Sequence, residues 1–279
     1  MQTMKEIFEE IETNGGMTPS RRLRDIANRF PEQIAFRDKR FGIWNEMSYK
    51  EFWMEVQYVG CALNYFGIQK TEKVAIHSEN RPEWLIADIG VQAIGGITVG
   101  LYPTNPPAEV QYLLSHSESK ILFAEDQEQV DKALEVLDEV PNLSKIIYFE
   151  EKGLFRYDSE KLMRWDEFLK IGKEEYEKNK DFVNFCIDEI KSEDVALMIY
   201  TSGTTGPPKA SMLSHGNMEW TASIIPDLSF TPNISNPEYL SYLPLCHVFG
   251  RLVDEIIAIN SIGTCLLYTS PSPRDPRES

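Results

Sequence analysis

The sequence predicts an α/β fold in which a mainly parallel sheet is covered by helices on both faces. Short apolar runs alternate with segments of helical periodicity between residues 73 and 149. This alternation indicates parallel strands joined by helices. A further apolar run at residues 195–200 ends in a loop of small and hydroxyl-bearing residues. Ligands of parallel sheets bind at the carboxyl ends of the strands, so this loop is the candidate binding site.

The first elements are predicted from apolar spacing and from helix caps. Apolar residues over 4–11 recur at helical spacing and predict an opening amphipathic helix. Thr18 followed by Pro19 is typical of a helix start, and the helix is expected to run to about residue 30. Apolar runs at residues 34–37 and 44–47 then predict a β-hairpin.

A long helix and the alternating region follow the hairpin. Ser48 and Glu51 form a capping-box pattern at the start of the helix, and Gly67 ends it. The alternating region is predicted to contain strands at residues 73–77, 97–101, 120–124 and 145–149 and helices at residues 82–94, 106–116 and 127–137.

The remaining elements surround the candidate loop. The charged stretch at residues 150–191 has helical tendency and is predicted to form a solvated helix and loop on the surface. Residues 239–243 predict a further strand, and residues 249–259 predict a further helix. No internal repeat is visible in the sequence.

The loop at residues 200–209 has the composition of a polyphosphate-binding loop. It reads Tyr-Thr-Ser-Gly-Thr-Thr-Gly-Pro-Pro-Lys. Glycine allows successive backbone N–H groups to turn towards an anion, hydroxyl groups add donors, and lysine supplies a positive charge. The predicted phosphate contacts are Thr201, Ser202, Gly203, Thr204, Thr205, Gly206 and Lys209.

The loop has two other interpretations. Clusters of glycine, serine, threonine and proline are usually plain surface loops, and only the order of the residues favours phosphate binding here. The Walker pattern requires four residues between its first glycine and a Gly-Lys pair. Gly203 and Gly206 are separated by two residues and Lys209 does not follow a glycine, so the chain is not a P-loop NTPase.

The loop resembles the signature of the AMP-forming acyl-CoA synthetases, also called adenylate-forming enzymes, which reads Tyr-Thr-Ser-Gly-Thr-Thr-Gly-x-Pro-Lys-Gly. The chain matches this signature through Lys209 and has Ala210 where the family has glycine. Alanine there removes backbone freedom but no chemical group. Residues 212–217 also resemble the family's continuation. The resemblance implies that the chain is the truncated N-terminal part of the large adenylate-forming domain.

A second motif lies at residues 243–251, which read Leu-Pro-Leu-Cys-His-Val-Phe-Gly-Arg. A single histidine in an apolar segment is more often structural than functional. Placed after the signature loop, however, the segment resembles the family's acyl-pocket motif Leu-Pro-x-x-His. The resemblance implies a catalytic role for His247 beside the carboxylate of the acid. The run is more similar to long-chain fatty acid–CoA ligases than to the aryl-acid or luciferase-like branches.

The resemblance implies a reaction and its substrates. The parent enzyme is expected to be a ligase of fatty acid and lipid metabolism that uses ATP with Mg²⁺ to make acyl-AMP and then transfers the acyl group to CoA. The family's segments for adenine, Mg²⁺ and CoA come later in the sequence, so we assign no metal ligand. We also expect this chain alone to be inactive. The alternatives are an aryl-acid or amino-acid ligase, or a non-catalytic nucleotide-binding module.

The C-terminal residues predict a boundary in the natural sequence. Residues 265–275, Cys-Leu-Leu-Tyr-Thr-Ser-Pro-Ser-Pro-Arg-Asp, resemble a translated sequencing adapter of the kind that a transposase ligates. A natural linker rich in proline and serine is the alternative. We therefore expect residues 1–263 to be a partial N-terminal adenylation domain and residues 264–279 to be a non-native tail.

The amino-acid composition of the chain limits the kinds of ligand and partner that it is expected to bind. The formal net charge of −16 argues against nucleic-acid binding, which requires clustered positive charge. The four cysteines, Cys61, Cys186, Cys246 and Cys265, have neither zinc-site nor disulfide spacing, so a reducing cytoplasmic environment is expected. His77, His116 and His215 do not group with acidic residues and are assigned no chemistry. Peripheral contact with a membrane surface is left open because the expected substrate is a fatty acid.

Overall fold

The computed structural model describes residues 18–40, 42–201, 206–224 and 237–267. The predicted opening helix lies outside these residues. These residues form two sheets, and the larger contains seven described strands in the order β7-β6-β5-β3-β4-β8-β9. All of its neighbouring strands are parallel except the β8–β9 pair. These strands are β3 (Lys73–His77), β4 (Ile97–Leu101), β5 (Ile121–Ala124), β6 (Lys145–Tyr148), β7 (Leu162–Arg164), β8 (Val195–Thr201) and β9 (Lys209–Ser214).

Helices cover both faces of the larger sheet, as predicted. One face carries a core whose helices include α1 (Pro19–Arg29), α2 (Tyr49–Tyr65), α3 (Pro82–Ala93), α6 (Trp165–Lys178) and α7 (Phe182–Asp188). The opposite face is covered by α4 (Pro107–Ser117) and α5 (Gln127–Glu135). Strands buried on both faces are apolar along their whole length, which explains why their sequences show runs and not alternation.

The chain after β9 returns to the first face. Helix α8 (His215–Ile224) follows β9 directly. Helix α9 covers residues 248–260 and has three stretches: α-helical Val248–Gly250, π-helical Arg251–Ile257 and α-helical Ala258–Asn260. Met218 of α8 and Ile256 of α9 pack with Leu197 and Ile199 of β8. Both helices therefore lie against the face on which the side chains of Leu197 and Ile199 project.

The smaller sheet has four strands in the order β10-β11-β1-β2. The predicted hairpin is confirmed, since β1 (Ile34–Arg40) and β2 (Ile43–Ser48) pair in antiparallel fashion. Strand β11 (Thr264–Leu267) pairs in parallel with both β1 and β10 (Glu238–Ser241). Strand β11 falls within the segment predicted to be non-native, and that boundary stays a prediction.

The caps of the helices agree with the sequence. The side chain of Thr18 accepts a hydrogen bond from the N–H of Arg21 at the start of α1. Ser48 and Glu51 form the expected capping box at the start of α2. Each cap satisfies N–H groups that have no partner within the helix, and so each defines where its helix begins.

The prediction for residues 150–191 was partly wrong. The segment is helical, but α6 and α7 are not solvated all round. Phe168 of α6 and Ile187 of α7 are completely buried, and Trp165 is buried beside Phe168. Charged residues separate these apolar positions in the sequence and conceal the buried face. The short strand β7 was also not predicted.

Gly172 allows α6 to lie directly against α2. A Cβ atom at this position would lie 2.0 Å from the carbonyl oxygen of Tyr58. We expect Gly172→Ala to lower the free energy of unfolding by about 1–3 kcal/mol, because the clash is with backbone and no side-chain rotation relieves it. Denaturant unfolding measures the effect. Lys173→Ala, at the exposed neighbouring position, is the matched control. A Gly172→Ala variant as stable as the parent chain would contradict the close contact.

Candidate functional site

The predicted polyphosphate loop connects β8 to β9. Thr201, the last residue of β8, lies directly opposite Lys209, the first residue of β9, and both are exposed. Gly206 has a φ of +100°, a conformation that favours glycine. The other predicted contacts, Ser202, Gly203, Thr204 and Thr205, lie outside the described residues. Strand β9 was not predicted, and it makes the loop the tip of a hairpin.

The side chains of Thr201 and Lys209, which flank the loop, project on the face that carries α8 and α9. Successive side chains of a strand point to opposite faces. Thr201 is therefore on the same face as Ile199, whose side chain packs with Met218 and Ile256. Lys209 is on this face too, because it is the direct partner of Thr201.

The motif at residues 243–247 crosses the same face of the sheet beside the hairpin. Gly100 of β4 makes this possible, since a Cβ atom there would lie 2.9 Å from Cα of Cys246 and 3.0 Å from its Cβ. Gly100 is in turn the register partner of Ile199 in β8. His247 follows Cys246 directly. It therefore lies at the same end of the sheet as Thr201, the last residue of β8.

Asn80 anchors the motif through its side chain. Its Nδ2 donates to the carbonyl oxygen of Leu243 at 2.7 Å and to Oγ of Ser241 at 2.9 Å. Its Oδ1 accepts from the N–H of Leu245 at 2.9 Å. Asn80 is buried, so all three bonds are shielded from water. Asn80 was not predicted from the sequence, because its partners are distant in the chain and leave no local pattern.

His247 lies at the start of α9 with its side chain exposed. Its Nδ1 accepts a hydrogen bond from the N–H of Phe249 at 3.2 Å, so the ring caps the helix. In the neutral imidazole the proton is then on Nε2, which can donate to an acceptor such as a carboxylate. The structure therefore places Thr201, Lys209 and His247 on one face of one sheet end. The chemical roles predicted for them remain predictions.

A buried charged cluster holds α9 against α3. Nε of Arg251 lies 3.4 Å from Oδ2 of Asp88, and its guanidinium carbon lies 4.6 Å from the ring centre of Trp84. Arg251, Asp88 and Glu255 are all at most 2 % exposed. Burial and the neighbouring charge of Asp88 raise the pKa of Glu255 well above its usual range. The protonated carboxyl group that this favours can donate a hydrogen bond to Asp88.

Two of the other histidines, His77 and His215, have structural environments. Both are completely buried, and burial lowers the pKa of each to about 4.

The described residues contain no group of three or more histidine, cysteine, aspartate or glutamate side chains that could hold a metal ion. Cys61, Cys246 and Cys265 are buried free thiols, and Cys186 is a half-buried one. Among the described residues, no helix is long and apolar enough to cross a membrane.

The profile of one protein family, described as AMP-binding enzyme, matches residues 23–279. The long-chain-fatty-acid–CoA ligase ACSBG2 of Xenopus laevis is 31 % identical over 233 residues, which are 83 % of this chain and 31 % of the relative. The human ACSBG2 ligase is 30 % identical over 240 residues, 85 % of this chain and 35 % of its own length. The chain thus spans about a third of the length of these curated relatives.

Solved structures share the fold. The anthranilate CoA ligase AuaEII, determined in complex with anthranoyl-AMP, aligns with a TM-score of 0.74 at 20 % identity, over 91 % of this chain and 45 % of its own. A mutant form of coronafacic acid ligase from Pectobacterium brasiliense aligns with a TM-score of 0.74 at 18 % identity, over 91 % and 46 %. At sequence identities of 18–20 %, this structural similarity shows a shared fold alone. The resemblance predicted from the two motifs is confirmed by the family match and by the curated relatives.

The charged cluster below α9 gives a stability prediction. Glu255→Gln should change the free energy of unfolding by less than about 1.5 kcal/mol, since glutamine has the shape of a protonated glutamate and keeps a donor for Asp88. Asp88→Asn should lower it by more, up to about 3–5 kcal/mol, because Arg251 loses its anionic partner and the buried Glu255 must ionise to replace it. Guanidinium unfolding at neutral pH compares the two variants. Equal destabilisation by both would indicate that Glu255 is ionised in the folded chain.

Proposed function

Because the chain belongs to the family of AMP-binding enzymes, we propose that it forms the phosphate-binding part of a ligase that activates long-chain fatty acids with ATP and transfers them to CoA. One observation carries the proposal. The hairpin end with Thr201 and Lys209 and the capped ring of His247 lie on one face at the carboxyl ends of parallel strands. A triphosphate and a carboxylate are the two groups that must meet in such a reaction.

The proposed reaction has two steps. In the first, an oxygen of the fatty-acid carboxylate attacks the α-phosphorus of ATP, and the bond to the β-phosphate oxygen breaks. The products are acyl-AMP and pyrophosphate. In the second, the sulfur of CoA, having lost its proton, attacks the acyl carbon, and the carbon–oxygen bond to AMP breaks. The products are acyl-CoA and AMP.

The hairpin would stabilise the leaving pyrophosphate. Negative charge develops on the bridging oxygen as the α-phosphorus is attacked, and preorganised donors lower the barrier most where charge develops. Lys209 supplies an ammonium group, and Thr201 supplies a hydroxyl group from the paired strand. The predicted donors Ser202, Thr204 and Thr205 belong to the same proposal. Each well-placed donor would contribute roughly 2.7–4 kcal/mol, by analogy with an oxyanion-hole donor.

For this part of the protein, Mg²⁺ is proposed as the counter-ion that arrives with ATP. The described residues offer no cluster of carboxylate or imidazole ligands for a resident ion. A divalent cation on the phosphate oxygens would neutralise part of their charge in a chain whose own formal charge is −16. We therefore assign no residue of this chain as a metal ligand.

His247 is proposed to orient the carboxylate of the fatty acid. Its Nδ1 is occupied by the helix cap, which leaves the Nε2–H as the donor. The side chains of Val248 and Phe249, exposed by 42 % and 54 %, follow it on α9 and offer apolar surface to the first part of an acyl chain. The preference for a long-chain acid is supported by relatives that are 30–31 % identical. An aryl acid or an amino acid is the alternative substrate.

Lys209→Ala tests the proposal in a full-length protein that contains this chain. We expect acid-dependent exchange of pyrophosphate into ATP to fall by roughly 10²–10³-fold, the effect of removing one donor to developing negative charge. Lys173→Ala, an exposed lysine on α6, is the control.

The outcomes separate the candidate functions. Unchanged exchange in Lys209→Ala would remove this lysine from the mechanism. Measuring exchange with a panel of fatty, aryl and amino acids identifies the substrate class. ATP binding by the unaltered protein without exchange for any acid would favour a nucleotide-binding module over a ligase.

A further inference from the structure

Helix α4 contacts the stem of the β8–β9 hairpin from the face opposite to the candidate site. Nδ1 of His116 lies 2.7 Å from the hydroxyl oxygen of Tyr200. The hydroxyl group of Tyr112 donates to the carbonyl oxygen of Pro208 at 3.0 Å. Tyr200 directly precedes Thr201, and Pro208 directly precedes Lys209. The helix therefore holds both strands of the hairpin within one residue of the two groups that face the site.

The three rings form one packed unit. Tyr112 and His116 are four residues apart on α4, so they lie on the same side of the helix. Their ring centres are 5.4 Å apart in a stacked arrangement, and His116 meets Tyr200 edge-on at 5.6 Å. Burial raises the pKa of Tyr200 to about 12, so the phenol keeps its proton and can donate it to Nδ1 of His116. Each ring limits the movement of the next.

The hydrogen bond from Tyr112 uses the one polar group that the backbone of Pro208 offers. Proline lacks an N–H group, so the carbonyl oxygen is the only backbone polar atom that Pro208 offers to a partner. Among the described strands, β9 is the last of its sheet and pairs on one side only. Near Lys209, therefore, the hydroxyl group of Tyr112 adds an attachment that the sheet itself does not provide.

Helix α4 is a firm support for these contacts. Val110, Leu113 and Leu114 are buried in the core beneath it. Met198, Tyr200 and Ala210 of the hairpin belong to this same core. A displacement of the hairpin relative to α4 would disturb buried apolar packing as well as two hydrogen bonds.

We propose that Tyr112 and His116 are positioning residues, which hold Thr201 and Lys209 opposite each other before a polyphosphate binds. They act through Tyr200 and Pro208 and do not touch the ligand. The ligand's identity rests on the function proposed above, whereas the bracing is a property of the hairpin without ligand. The inference predicts that binding of the triphosphate depends on residues on the far face of the sheet.

Hydrogen–deuterium exchange of the ligand-free chain tests the bracing. Tyr112→Phe keeps the stacked ring and removes the hydrogen bond to Pro208. We expect amides of β8 and β9 to exchange about two- to twelvefold faster, the range for the loss of one hydrogen bond. His116→Leu should act similarly, and His116→Asn, which keeps a polar atom near Nδ1, should restore part of the protection. Tyr157→Phe, which removes a hydroxyl group bonded to Asp131 and Gln127, is the matched control.

Steady-state kinetics of a full-length protein containing the chain test the consequence. Tyr112→Phe should raise KM for ATP several-fold and leave KM for the acid unchanged, a separation that general destabilisation would not produce. Unchanged hairpin exchange in both Tyr112→Phe and His116→Leu would overturn the proposal. Faster exchange with an unaltered KM for ATP would also overturn the positioning role. If the unaltered protein does not use ATP, the proposed function fails while the exchange data still decide the bracing.

Discussion

The close approach of Cys246 to Gly100 is the contact on which the candidate site depends. Any side chain on Gly100 would occupy the space that Cys246 fills, and the motif that carries His247 would be displaced from the sheet. Because Gly100 is paired with Ile199 of β8, the same contact sets the motif beside the strand that ends in Thr201. Asn80 then fixes the motif with two hydrogen bonds, to Leu243 and Leu245, and joins it to β10 through a third, to Ser241. The two motifs thus meet through a glycine and an asparagine that belong to neither of them.

One face of the larger sheet carries the candidate site, and the opposite face carries the helix that supports it. The sheet's central strands β3, β4 and β5 are buried on both faces, so their polar groups are available only where the strands end. At this end, the face with α8 and α9 presents Thr201, Lys209 and His247. The opposite face presents Tyr200 and Ala210 to the core around α4. The buried cluster of Arg251, Asp88 and Glu255 has a related role for α9, since it fixes the helix whose first turn His247 caps.

Local patterns in the sequence predicted the elements well, and contacts between distant residues account for what was missed. Strands β3 and β4 were predicted at their observed bounds because apolar runs flanked by glycine and charged residues define them. The buried face of α6 was missed because charged residues separate Trp165, Phe168 and Gly172. The loop and His247 were found by resemblance to a family. Asn80, Arg251 and Tyr112 were not assigned roles, since their partners come together only when the chain folds.

The position of the triphosphate tests the account most directly. A crystal structure of a full-length protein containing this chain, determined with ATP and Mg²⁺, should show phosphate oxygens within hydrogen-bonding distance of Nζ of Lys209 and the hydroxyl group of Thr201. The acid-binding region should then lie on the His247 side of the same sheet face. A triphosphate bound at another part of the molecule, with the β8–β9 hairpin free of ligand, would contradict the account.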